Sequence, residues 1–185
     1  MTTTNPTIYY VIAAIVVILA IVAAVAIARR SQSARLQRRF GPEYERLARE
    51  RGSRTEAERE LARREERVKG FRLAELPPGA RERYSEEWRR VQARFVDEPA
   101  AALRQADTLI ANVMRDRGYP QADFEQRTAD LSTDHARALG DYRAAHEIAL
   151  RSEGGNASTE DLRQAMVHYR TLFDELVGTT ERSKA

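Results

Sequence analysis

Residues 1–28 contain no charged side chain, and within them Ile8 to Ala28 reads IYYVIAAIVVILAIVAAVAIA. Twelve of these 21 residues are Ile, Val or Leu. At about 1.5 Å per residue, a helix of this length spans roughly 31 Å, the thickness of a hydrocarbon core. In lipid the backbone must satisfy its own hydrogen bonds, so the segment has to be helical despite its β-branched residues. Each Ile, Val or Leu near the centre contributes about −0.3 to −0.6 kcal/mol to insertion, roughly −5 kcal/mol in all, with no charge opposing it.

The competing reading is a cleaved signal peptide, which needs a basic start, an apolar run of about 7 to 15 residues and a small-residue cleavage site. MTTTNPT has no Lys or Arg, the apolar run is longer, and Arg29 and Arg30 follow it directly as a stop-transfer flank. The expectation is an uncleaved single-pass anchor, helical over 8–28, with Tyr9 and Tyr10 at headgroup level. Ala20, Ala24 and Ala28 form a small-xxx-small stripe, but with seven Ala in the segment chance supplies such a stripe easily.

The whole-chain net charge of +3 hides a partition: zero over residues 1–28, +6 over 29–69 and −3 over 70–185. Arg29, Arg30, Arg35, Arg38 and Arg39 follow the apolar run with no acid among them, whereas no basic residue precedes it. That asymmetry predicts the N-terminus outside and the remainder in the cytoplasm, at the inner face of a plasma membrane. The same five arginines are the candidate contacts for anionic lipid headgroups, because each basic residue near such a surface gains about 1 kcal/mol.

Residues 29–70 read as a basic, charged helical stalk. Gly41-Pro42 and Gly52-Ser53 interrupt it, and Ser53 with Glu56 forms a capping box ahead of an unbroken helix to Gly70. Leu47, Leu61, Val68 and a few Ala are too sparse for a sustained coiled-coil seam, so the alternating Glu and Arg read as a solvated helix. Interspersed acids and the lack of aromatic platforms argue against nucleic acid as a partner.

Beyond Gly70 most of the aromatics appear, and residues 71–178 read as a bundle of four to five amphipathic helices. Tyr84, Trp88, Val91 and Phe95 form one helical stripe after Leu76-Pro77-Pro78-Gly79. Asp97-Glu98-Pro99 starts the next helix, with Leu103, Ala106, Leu109, Ile110, Val113 and Met114 on its apolar face and Gly118 as its stop. A short helix runs through Phe124 and Leu131. Asp134 is the expected N-cap of a helix carrying Leu139, Tyr142 and His146, with Gly140 weakening its middle. Ser158 and Asp161 cap a last helix with Leu162, Met166, Tyr169, Leu172, Phe173 and Leu176 on one face. The helices at 100–117 and 159–177 have the most apolar faces and are expected at the centre; 179–185 reads as a disordered tail. No stretch alternates with period two, so the fold class is all-α.

Zero cysteine excludes disulfides, thiolate metal sites and a cysteine nucleophile. Three histidines and no P-loop, GxGxxG or GxSxG motif give no expectation of an enzyme or a cofactor. The nearest constellation pairs Tyr142-Arg143 and His146 on one helix with His168-Tyr169-Arg170 on the next. If those faces meet, Arg143, His146, His168 and Arg170 make a candidate anion or ligand cluster. The competing reading buries the two tyrosines and leaves the Arg and His residues paired with neighbours such as Glu147 or Asp174.

The stretches YSEEWRRVQARFVDEP, RGYPQADFEQRTADLSTDH, YRAAHEIA and TEDLRQAMVHYRTLFDEL resemble an uncharacterised family of single-pass membrane proteins from GC-rich bacteria. The resemblance covers residues 29–177, and the anchor only in kind. It implies a bacterial membrane and brings no activity, cofactor or partner; 29 Arg against 2 Lys agrees with a GC-rich genome. The sequence thus points to a membrane-tethered helical interaction or scaffold module that binds the bilayer and an unidentified protein partner, itself included. The alternative is a ligand-sensing or catalytic helical domain built on the Tyr/Arg/His cluster.

Overall fold

The computed structural model describes residues 6–178. The expected tail at 179–185 lies outside the described residues, as do the side chains of Tyr9 and Tyr10. Eight α-helices, and no strand, occur among the described residues. The first, α1, spans Pro6–Phe40. It runs past the expected end at Ala28 because neither Gly nor Pro interrupts the chain between Thr7 and Phe40. Gly41 ends it with φ 48°, a left-handed geometry that favours glycine, and Pro42 then occupies the first turn of α2 (Pro42–Arg51).

The chain divides into two compact units, Met1–Arg38 and Arg39–Ala185. This differs from the expected division into anchor, stalk and bundle. Residues 29–38 continue α1, and the rest of the stalk belongs to the second unit as a helical hairpin of α2 and α3 (Arg54–Lys69). The hairpin has few apolar residues, but Tyr44, Leu47, Ala57, Leu61 and Val68 are all buried, as is Phe40 at the end of α1. The solvated-helix reading fails there because even charged side chains are drawn in, Glu43 and Glu65 being buried as well.

Five further helices complete the second unit: α4 (Ala80–Arg94), α5 (Pro99–Asp116), α6 (Phe124–Leu131), α7 (Leu139–Glu153) and α8 (Thr159–Gly178). As expected from their apolar faces, α5 and α8 are central: they pack on each other, and each also meets α4 and α7. The core between them takes Trp88, Leu103, Ile110, Val113, Tyr142, Tyr169, Leu172 and Leu176. Trp88 stacks on Phe173 with ring centroids 4.6 Å apart.

Local caps follow the sequence at most ends. The Ser53 hydroxyl accepts from Glu56 N–H. Ser158 and Asp161 bond reciprocally, backbone to side chain in both directions. One cap differs. Asp134 does not start a helix; α7 begins at Leu139, after a turn in which His135 N–H donates to Leu131 and Ala138 N–H donates to His135. The Asp134 carboxylate is instead 3.3 Å from the Arg39 guanidinium. Gly140 therefore falls in the first turn of α7 rather than in its middle.

Candidate functional site

The four residues of the expected anion cluster each have a partner of their own. Arg143, on α7, donates through both terminal nitrogens to Glu43, at 2.7 and 2.9 Å. His168, on α8, lies 3.0 Å from Asp141. Arg170 pairs with Asp174 one turn on, at 3.2 Å. His146 stacks flat on Phe124, with centroids 3.6 Å apart and planes 9° from parallel. Burial pushes the His146 imidazole down from its usual value, so the ring is neutral at neutral pH. Tyr142 and Tyr169 are fully buried, as the competing reading has it.

Two polar centres in the second unit escaped the sequence reading. The first is Glu43, 2% exposed, which accepts five guanidinium hydrogen bonds: two from Arg46 one turn on, one from Arg64 at 2.9 Å and one of the Arg143 pair on each oxygen. Burial pushes its carboxyl up, and the Arg46 and Arg143 hydrogen bonds more than reverse this, lowering it from 4.5 to about 2. Glu43 thereby ties the α2–α3 hairpin to α7. A second ionic contact joins the hairpin to the bundle, Arg67 donating to the buried Asp130 on α6 at 2.9 Å, while Arg39, at the end of α1, donates to the Thr133 carbonyl at 3.3 Å.

That use of Arg39 separates it from the other candidate headgroup contacts. Its guanidinium also donates to Glu65 at 2.8 Å, so Arg39 holds the second unit together internally. Arg29, Arg30, Arg35 and Arg38 are exposed on α1.

The second centre lies where α5, α6 and α7 meet. Asp107 on α5 accepts from the Tyr142 hydroxyl at 2.8 Å and from Arg127 on α6 at 2.9 Å. Burial and the Asp107 charge push the Tyr142 phenol up, so it keeps its proton and donates it. Burial opposes the Arg127 charge, and the Asp107 carboxylate bonded to it supports it. Phe124 leans on Tyr142 with centroids 5.0 Å apart, which places the His146–Phe124 stack beside this knot. No sequence motif links Asp107 to Arg127; the only available signal was an Asp on the otherwise apolar flank of a strongly amphipathic helix.

The nine large apolar residues of α1 from Ile15 to Ile27 are 46–68% exposed. The α1 segment Ile15–Phe40 is the one helix among the described residues long and apolar enough to cross a membrane. No family model matches the chain, and neither a curated protein nor a solved structure matches it.

Proposed function

We propose that the chain is a membrane-tethered helical module. In this reading α1 crosses a bacterial inner membrane with its N-terminus outside, and the second unit, in the cytoplasm, recruits or assembles a protein partner, a second copy of the chain included. The observation that carries it is the row of exposed apolar residues Ile15 to Ile27 on α1. Each such side chain left in water forgoes about 1.5–3 kcal/mol that an apolar surround supplies, so the row calls for lipid. The flanking Arg29, Arg30, Arg35 and Arg38, without an acid between them, support the orientation and an attraction to anionic headgroups.

The alternative, a ligand or catalytic domain built on Arg143, His146, His168 and Arg170, loses the convergence it needs, since Glu43, Phe124, Asp141 and Asp174 take up those side chains separately. Two experiments test the proposal. Alkaline phosphatase fused after Ala185 should be inactive and a fluorescent protein fused there should be bright; the reverse pattern overturns the orientation. Proximity labelling from the C-terminus should enrich one protein complex over an anchor-only control, and labelling no stronger than that control counts against a partner.

A further inference from the structure

We infer that the C-terminal half of α5, the 118–123 loop and α6 together form a binding pocket for a small organic carboxylate. The cavity there measures about 260 Å³. A water molecule's share of liquid volume is about 30 Å³, so the space suits a molecule of a few carbon atoms, and it is smaller than the clefts of about 300–1,000 Å³ that take drug-sized ligands and cofactors.

The wall chemistry selects the ligand. Two arginines, Arg115 and Arg127, line the cavity, and no acidic side chain does. The amides of Asn112 and Gln121 add hydrogen-bonding groups, and Met114 and Pro120 add apolar surface. Arg127 is held rigidly: its side chain is 11% exposed and one terminal nitrogen is fixed on Asp107. Its Nε–H is buried with no acceptor. The buried Nε–H and the Asp107-bound nitrogen face the protein, so the small exposed part of the guanidinium is what lines the cavity, as a fixed positive charge and single-point donor for an anion. Arg115 stands half-exposed, with its Nε 3.7 Å from Asp116, too far for a hydrogen bond. Asp116 itself is occupied by the Tyr84 hydroxyl at 2.7 Å and by Arg83 at 3.1 Å. The apolar wall distinguishes an organic acid from an inorganic oxyanion, which would leave Met114 and Pro120 facing water.

The test uses the full chain in detergent micelles, with propionate, butyrate, valerate, succinate and inorganic phosphate as probes, read by thermal shift and calorimetry. At least one carboxylate should raise the melting temperature saturably below about 10 mM, and more than phosphate does. Ala122→Trp, which fills the cavity from the half-buried loop, and Arg115→Gln, at a half-exposed position, should each weaken that binding by about tenfold or more while keeping the helical circular dichroism of the parent. Arg127 is left intact because its removal strands Asp107. No shift from any carboxylate, a phosphate shift equal to the best carboxylate, or full binding in both folded variants overturns the inference.

Discussion

Glu43 is nearly fully buried and accepts hydrogen bonds from three arginines. Its carboxyl is depressed in the folded chain, from 4.5 to about 2, so its stabilisation is complete above 4.5 and is lost as pH falls towards 2. That difference corresponds to about 3 kcal/mol at neutral pH. Glu43→Gln should therefore lower stability by about 3 kcal/mol, because it leaves Arg64 and Arg143 facing a neutral amide, and it should flatten the loss of stability between pH 4.5 and 2. Denaturant unfolding of the micelle-held chain across that pH range checks both. Two glycines give opposite signs. Gly118 has φ 92°, and a Cβ there would lie 2.3 Å from the Arg72 carbonyl oxygen, so Gly118→Ala should destabilise by about 2–4 kcal/mol. Gly140 is helical with nothing within 4 Å, so Gly140→Ala should stabilise by up to about 1 kcal/mol. Thermal unfolding of the two variants side by side reads the difference.

Among the elements, the α2–α3 hairpin depends most on distant partners. Its own apolar residues lie outside the main core cluster, and the side-chain bonds that fasten it to the bundle are ionic: Glu43 to Arg143 and Arg67 to Asp130. Arg67→Met combined with Arg143→Met should raise amide exchange throughout α2 and α3 while α5 and α8 keep theirs; uniform loosening of all helices would show that the hairpin is not separately latched. This docking was not legible in the sequence. Glu43 and Arg143 are 100 residues apart, and an alternation of Glu and Arg at helical spacing looks the same whether its charges face water or one another. Asp134 misled for the same reason, since a carboxylate ahead of an apolar stripe reads as a cap until Arg39 takes it. The signals that did transfer are local ones. Ser53 with Glu56, Ser158 with Asp161, Gly79, Pro99 and the stripes of α5 and α8 involve residues within a turn or two, where chain geometry alone brings them together. The Asp107–Arg127–Tyr142 knot joins three helices and has no local trace.

On the proposed reading, two solvents organise the molecule as a whole. The apolar stretch of α1 has no protein surround, whereas the second unit buries its own aromatic core and pairs even its buried charges. An anchor of this kind has a margin of roughly 5 kcal/mol of insertion free energy, and one Lys at the helix centre costs about 2.5–3.5 kcal/mol. Ile18→Lys with Val22→Lys therefore exceeds the margin without touching any residue of the second unit. The deciding measurement is membrane fractionation with alkaline carbonate extraction. The parent chain should stay in the membrane pellet and be released only by detergent, while the double-lysine variant should move to the supernatant with its helical content intact. A parent chain that carbonate extracts as readily as the variant would contradict the membrane-tethered account.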